Sequence, residues 1–329
     1  AIWWVTEAIP IAATALLPII LFPLSEGMEL STTTESYGHK YVFLYLGGFL
    51  IAIGIEKWNL HKRIAINIIS FIGSDVRKVI LGFMIATAFL SMWISNTATS
   101  VMMLPIGIAI IKQLKDSPAS LENENTIFGK ALMLGIAYSA SIGGIATLIG
   151  TPPNLMFREV YQQTTGTEVA FLGWMSWGIP VVIIFLPIMG LYLTRNLTQS
   201  GSIILPRAGK WNTYEVRVLL VFSLTAIAWM TRGEPFGGWR TWLHLPNAND
   251  ASVALLAVVA MFLIPNGKGG QLLDWETANK IPWGVLFLVG GGIALSKAFK
   301  LSGLAEWLGS FSNHFNGLNI YLLIFISVF

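Results

Sequence analysis

A short polar stretch interrupts a long apolar run that contains no charged residue. The stretch is Ser91-Met-Trp-Ile-Ser95-Asn96-Thr97-Ala98-Thr99, and apolar arms at 79–94 and 98–111 flank it. Each arm has about 15 residues and would span about 22 Å as a helix, which is less than the hydrocarbon core of about 30 Å. The pattern therefore predicts a re-entrant helical hairpin over about 79–111, with the polar residues at its tip.

The charges on either side of this run favour the hairpin over its alternative, a spanning helix whose Ser and Thr hydroxyls bond to backbone or to a neighbouring helix. Basic residues flank both ends: Arg77 and Lys78 before the run, and Lys112, Lys115 and Lys130 after it. Cytoplasmic loops of membrane proteins are enriched in Lys and Arg, so both flanks are expected to be cytoplasmic. A hairpin that enters and leaves on one side satisfies this expectation, whereas a single spanning helix does not.

The composition places this hairpin in an all-α polytopic membrane protein. Charged residues make up 11% of the 329 residues and apolar residues 54%, and the net charge of +3 does not suggest nucleic-acid binding. The absence of cysteine excludes disulfides, thiolate metal sites and cysteine nucleophiles. Because the chain begins and ends inside apolar segments, we expect it to be truncated at both ends.

A second interruption lies in the apolar segment at about 128–161. Gly143-Gly144 and then Gly150-Thr151-Pro152-Pro153-Asn154 occur in its middle. The two prolines lack backbone donors, and a residue before proline avoids helical geometry. The pattern predicts a broken transmembrane helix whose unwound joint exposes carbonyls to cations and a helix N-terminus to anions. The simpler alternative is a proline kink.

Two glycine-containing segments indicate an internal repeat. Phe43-Leu-Tyr-Leu-Gly47-Gly48 resembles Leu286-Phe-Leu-Val-Gly290-Gly291, and the predicted topology makes the copies inverted. We interpret 1–329 as one incomplete domain, with the core of the first repeat at 41–163 and the start of the second at 282–329. The spacing of the repeats puts a second hairpin tip near residue ~338, beyond the chain, so 320–329 would be its rising arm.

Other residues offer weaker signals. The first apolar segment, 1–24, is predicted to be a membrane segment interrupted by Pro10, Pro18 and Pro23. It contains Glu7, which is either functional or interfacial. Four histidines (His39, His61, His244 and His314) fall in loops or at segment ends and are predicted to be solvated. The chain lacks Gly-x-Ser-x-Gly, His-Glu-x-x-His and a continuous polar helix face, which argues against an enzyme and against a channel.

Six motifs together resemble the divalent anion/sodium symporter family, the INDY-like carriers of di- and tricarboxylates. They are Trp4-Val-Thr6-Glu7-Ala-Ile-Pro10, Glu56-Lys57-Trp58-Asn59-Leu60-His61-Lys62-Arg63, the Ser91–Thr99 stretch, Ser141-Ile-Gly143-Gly144, Gly150-Thr151-Pro152-Pro153-Asn154 and Pro282-Trp283-Gly284. The motifs extend over nearly the whole chain, and the Ser-Asn-Thr motif followed by Gly-Thr-Pro-Pro-Asn is highly specific.

The resemblance implies an inverted-repeat, homodimeric secondary transporter that works by an elevator-like movement in the plasma membrane or bacterial inner membrane. It implies that Ser91, Ser95, Asn96 and the Gly150 carbonyl coordinate a first sodium ion. It also implies that Asn96, Thr97 and Thr151 face the substrate carboxylates. The second sodium site and the other half of the substrate site would lie beyond residue 329.

The chemistry of the tip is compatible with these roles. Ser, Asn and Thr supply neutral oxygens to a cation and donors to an anion, but the tip has no Lys or Arg. A dianion buried there would lack compensating charge, which co-transported sodium would supply. The function expected is sodium-coupled symport of succinate, malate, fumarate or citrate. The alternatives are a sulfate or inorganic anion symporter, and a sodium-independent dicarboxylate exchanger.

Overall fold

The structure is a computed structural model that describes residues 2–116, 122–197, 203–206, 208–233, 237–311 and 322. Within these residues the secondary structure is helical, apart from an isolated bridge between Pro265 and Gln271. By length and composition, six helical stretches are able to cross a membrane: Leu30–Lys57, Asn96–Lys115, Asn125–Gly144, Phe171–Thr194, Thr213–Met230 and Trp283–Leu301. The prediction of an all-α polytopic membrane protein is confirmed.

The helices are numbered in chain order. The first nine are α1 (Ile2–Thr6), α2 (Ile11–Thr14), α3 (Leu17–Leu24), α4 (Leu30–Glu35), α5 (Lys40–Lys57), α6 (Leu60–Ile72), α7 (Val76–Ser91), α8 (Asn96–Lys115) and α9 (Glu122–Gly144). The others are α10 (Pro152–Thr165), α11 (Phe171–Thr194), α12 (Thr213–Met230), α13 (Gly238–Trp242), α14 (Asp250–Leu263), α15 (Trp275–Ala278), α16 (Trp283–Leu301) and α17 (Leu304–Phe311). The chain divides into two compact units, residues 1–42 with 283–329 and residues 43–282.

In the first unit, the segment predicted to be interrupted by prolines is divided into three helices, α1, α2 and α3. The helix ends at Thr6 because Glu7 adopts a positive φ of 48° and Pro10 lacks a backbone donor. Glu7 itself is exposed. In the same unit α16 packs closely on its neighbours: a Cβ on Gly290 would lie 2.6 Å from Cδ1 of Tyr37. The predicted rising arm at 320–329 falls outside the described residues, except for residue 322.

In the second unit, α9 is the central helix, with α7, α8 and α11 packed against it. Glycine allows the closest of these contacts, since a Cβ on Gly143 would lie 2.3 Å from the carbonyl oxygen of Ala88 in α7. A similar approach joins α5 to α14, where a Cβ on Gly47 would lie 2.5 Å from Cβ of Ala254. The packing of α7 and α8 on one helix fixes where the polar tip between them lies.

The two arms of the predicted hairpin differ in length, which corrects one of our premises. The first arm, α7, has 16 residues and is about 24 Å long, short of a crossing. The second arm, α8, begins at Asn96 and continues to Lys115, and its 20 residues span about 30 Å. The arm is longer than expected because the polar Asn96 and Thr97 start the helix and the lysines at its end continue it. The re-entrant course of the pair stays a prediction.

One histidine is placed differently from our prediction of solvated residues. His61 lies in α6 and is only 3% exposed, because α6 turns its Leu60, His61 and Ala65 side inward and packs against α7. His244 is exposed, whereas His39 is half-buried and packs against Tyr41. His314 lies outside the described residues.

Candidate functional site

The polar tip between α7 and α8 is a four-residue connection, Met92 to Ser95, closed by polar side chains at both helix ends. Ser91 ends α7 and is fully buried, and its Oγ lies 2.8 Å from Oδ1 of Asn96, the first residue of α8. Ser95 occupies the N-cap of α8, where its hydroxyl accepts a bond from the Ala98 amide at 3.4 Å. The helix therefore begins where a good N-cap residue stands before an apolar run.

The interruption after α9 is wider than a kink. Helix α9 ends at Gly144 and α10 begins at Pro152, with seven non-helical residues, 145–151, between them. Asn154 holds this segment in place: its buried Nδ2 donates to the carbonyl of Gly144 at 2.8 Å and to that of Thr147 at 2.7 Å. The unwound backbone is thus bound by a side chain from the helix that follows it.

The tip and the interruption meet at Gly144. A Cβ on Gly144 would lie 2.3 Å from Oδ1 of Asn96, and a Cβ on Gly150 would lie 2.4 Å from the carbonyl oxygen of Gly144. Thr147 adds a direct link, because its hydroxyl donates to the carbonyl of Met92 in the tip. Two stretches some 50 residues apart, each singled out from the sequence, therefore form one cluster.

Four helix ends border this cluster, and their polarity differs. The C-termini of α7 and α9 lie at Ser91 and Gly144, where the helix ends carry partial negative charge. The N-termini of α8 and α10 lie at Asn96 and Pro152, where partial positive charge accumulates. One pair of ends favours a cation and the other pair favours an anion, so the cluster is suited to hold both side by side.

The Ser91 hydroxyl has two acceptors and a single proton. Its Oγ lies 2.7 Å from the carbonyl oxygen of Ala140 in α9 as well as 2.8 Å from Oδ1 of Asn96. Because one hydroxyl donates one hydrogen bond at a time, Ser91 can donate to only one of these two oxygens at any moment. The three oxygens of Ser91, Asn96 and Ala140 are neutral, and neutral oxygens are ligands that a monovalent cation can use. The Ala140 carbonyl was not identified from the sequence, which gives no signal for a backbone oxygen 49 residues away.

The predicted substrate residues lie beside this oxygen cluster. Thr97 is in the first turn of α8 and its side chain is exposed. Thr151 is the N-cap residue of α10 but makes no side-chain capping bond. The prolines at 152 and 153 leave few amide donors at that helix end, so the Thr151 hydroxyl is the side-chain donor best placed there. Ser95, by contrast, directs its hydroxyl to its own helix rather than to the Ser91–Asn96 pair.

The cluster has no fixed positive charge of its own. Neither the tip at 91–99 nor the interruption at 143–154 contains Lys or Arg. In the part of the chain that the structure describes, no three His, Asp or Glu residues group as a metal site. A multivalent metal centre built on charged ligands is therefore not formed by these residues, whereas neutral oxygens suit a monovalent cation.

Comparisons with known proteins identify the family of the chain. A protein-family model described as "Citrate transporter" matches residues 1–329. The chain is 42% identical over 340 residues to proteins named "Sodium-dependent dicarboxylate transporter SdcS" from Staphylococcus aureus strains USA300 and COL. The match covers 98% of this chain and 65% of each of those relatives, so the chain spans about two thirds of their length. The resemblance found in the motifs is confirmed.

Proposed function

Because the chain belongs to the citrate transporter family, we propose that the full-length protein is a multi-pass membrane carrier that transports sodium ions together with a di- or tricarboxylate. The observation that carries this proposal is the meeting of the tip and the interruption at Gly144. It joins a set of neutral oxygens to two helix N-termini and supplies no lysine or arginine.

The sodium ion is cargo in this proposal, and three side chains and one backbone carbonyl are assigned to it. Ser91 and Asn96 supply adjacent oxygens, Ser95 lies at the start of α8, and the Gly150 carbonyl comes from the interruption. The Ala140 carbonyl is a further candidate ligand because the Ser91 hydroxyl lies against it. The bound sodium would provide the positive charge that the side chains lack.

The substrate carboxylates are assigned to Asn96, Thr97 and Thr151. Amide and hydroxyl donors at two helix N-termini orient a carboxylate, but they compensate its charge only partly. Burying an uncompensated dianion is costly, so substrate would bind well only after sodium. This electrostatic dependence is our explanation for the coupling of substrate to sodium. The resemblance to the family adds the proposal that transport proceeds by an elevator-like movement within a homodimer.

The proposal is tested by uptake of radiolabelled succinate into proteoliposomes containing the full-length protein, with and without a sodium gradient. Citrate and sulfate are added as competitors. We expect uptake that requires sodium and that sulfate does not inhibit. Inhibition by sulfate would indicate an inorganic anion carrier. Uptake that does not depend on sodium but requires an anion inside the proteoliposomes would indicate an exchanger.

The shared use of the tip is tested by Asn96→Ala. If Asn96 contacts both cargoes, the substitution weakens the apparent affinities for sodium and for succinate together. Loss of succinate affinity with sodium affinity unchanged would contradict the sharing and would leave Asn96 as a substrate residue alone.

A further inference from the structure

A cavity of about 620 Å³ lies in the second unit, away from the oxygen cluster but beside the same helix. Its lining includes Val101 and Pro105 of α8 and four charged residues: Glu56, Lys57, Lys62 and Lys280. The cavity is large enough for a small organic anion with its hydration water. Nothing in the site described above uses it.

The cavity lies on the face of α8 that carries Thr97. Residues 97, 101 and 105 are spaced by four and therefore share one face of the helix, and all three are exposed. At 1.5 Å per residue, Val101 lies about 6 Å and Pro105 about 12 Å from Thr97 along the helix axis. The direction from Thr97 to Pro105 leads toward Lys112 and Lys115, the end that we expect to be cytoplasmic.

The charge of the cavity at neutral pH is positive and comes from lysine. Lys57 is neutralised by Asp274, whose pKa its hydrogen bond lowers to about 2. Lys62 and Lys280 are exposed and form no ion pair with any residue that the structure describes. The lining also contains the carboxylate of Glu56. The three lysines, set against Glu56 and Asp274, leave one net positive charge.

His61, which also lines the cavity, does not add to this charge at neutral pH. Burial lowers its pKa to about 4, so its imidazole is neutral. The attraction for an anion is therefore permanent over the physiological range, unlike the attraction at the tip, which depends on bound sodium.

We propose that this cavity is a cytoplasmic capture site for di- and tricarboxylates, in which the ammonium groups of Lys62 and Lys280 hold the anion on its way to or from Thr97. This inference rests on the proposed transport function and adds a second binding site to it. Capture by fixed lysines gives the dianion a charged site before sodium completes the tip. Positive charge at the mouth of a path also raises the local concentration of an anion.

The test compares the two faces of the membrane. Full-length Lys62→Gln, Lys280→Gln and the double variant are assayed for sodium-driven succinate uptake in inside-out vesicles, where the cytoplasmic face is outside, and in right-side-out vesicles. We expect the KM for succinate in inside-out vesicles to rise roughly threefold to tenfold per lysine, with the right-side-out KM unchanged. Added choline chloride should reduce the difference between wild type and variant.

Two further variants separate electrostatic capture from structural damage. Glu56→Gln removes the negative charge from the same cavity, so it should lower the KM on the cytoplasmic side. Lys78→Gln removes an exposed lysine that pairs with Asp75 at 2.8 Å, at the start of α7 and outside the cavity, and it should leave both values unchanged.

The outcomes distinguish the two proposals. A protein that shows no sodium-dependent succinate uptake in any vesicle overturns the proposed function and this inference together. The capture site alone is overturned if the wild-type protein transports but the lysine variants leave the KM unchanged. It is also overturned if the lysine variants change the KM equally on both faces. An increase in KM with Glu56→Gln also overturns it, since removal of a negative charge cannot weaken electrostatic capture of an anion.

Discussion

Nη1 of Arg158 lies 2.8 Å from Oδ2 of Asp250, although 92 residues separate them, and the two side chains are 1% and 3% exposed. Arg232 shares the same carboxylate through its Nε, 2.7 Å from Oδ1, and Arg158 reaches Glu168 at 2.7 Å. Since Arg158 stands one turn after Asn154 on α10, this buried network links the helix that follows the interruption to the start of α14 and to Arg232, which follows α12.

Asp250→Asn is expected to be the most damaging change in this network. Among the residues that the structure describes, it leaves the two buried guanidinium groups with the partly exposed Glu168 as an ion-pair partner. Breaking a buried pair by removing one partner costs about 3–5 kcal/mol, measured here as a loss of thermal stability in detergent. Asp75→Asn, which removes an exposed pair, should cost no more than about 1 kcal/mol.

A second substitution checks that charge is the cause. Adding Arg232→Met to Asp250→Asn leaves Arg158 paired with Glu168, so the double variant should be less destabilised than the sum of the single variants. Additive losses would show that the three side chains do not act as one network.

Gly144→Ala is expected to weaken the binding of both cargoes. The added Cβ would lie 2.3 Å from Oδ1 of Asn96, so the tip has to move away from the interruption. Overpacking of this kind costs about 1–3 kcal/mol, and a loss of 1.4 kcal/mol in binding is tenfold in affinity. The effect is measured as the change in the sodium and succinate concentrations that give half-maximal uptake. Gly173→Ala is the matched control, because its Cβ would meet atoms no closer than 3.9 Å.

The sequence was informative wherever a local rule applied. Ser95 is a favourable N-cap before an apolar run, and two prolines after Gly150 cannot continue a helix, so the tip and the interruption were both predictable. The arm lengths were less predictable, because polar residues such as Asn96 extend a helix once its backbone bonds form. The interruption of residues 1–24 was predictable from its prolines, whereas the end of α1 at Thr6 depends on a positive φ at Glu7 that no composition rule indicates.

Contacts between distant segments were outside the reach of such rules. The link between Ser91 and the Ala140 carbonyl exists because α7 and α9 pack together, and the burial of His61 exists because α7 covers one side of α6. A charged or polar residue in a sequence does not reveal which element will cover it. The pairing of Arg158 with Asp250 is of the same kind.

Ser91→Ala is expected to lower sodium affinity more than stability. It removes the oxygen that stands between Asn96 and the Ala140 carbonyl, and it removes one of the proposed sodium ligands. We expect the sodium concentration for half-maximal uptake to rise about tenfold, equivalent to about 1.4 kcal/mol. Ser141→Ala is the control: Ser141 is exposed and bonds to its own helix at 3.4 Å. An equal effect of both substitutions on the sodium dependence would show that Ser91 is not a sodium ligand.

His61 is expected to make stability depend on pH. Burial lowers its pKa from 6.5 to about 4, so the folded protein keeps this imidazole neutral while the unfolded chain protonates it below 6.5. The unfolded state then binds more protons between about pH 6.5 and pH 4, and the free energy of unfolding falls as the pH is lowered through that range. The full loss would approach about 3 kcal/mol, at about 1.4 kcal/mol per pH unit.

The measurement is the thermal stability of the full-length protein in detergent between pH 8 and about pH 4, the range that brackets both states of the imidazole. His61→Gln should flatten the profile between pH 6.5 and pH 4, because its side chain does not titrate. His244→Gln should leave the profile as it is, since His244 is exposed. If the His61→Gln profile keeps the wild-type slope in this range, other groups cause the acid sensitivity, and burial of His61 is not the reason for it.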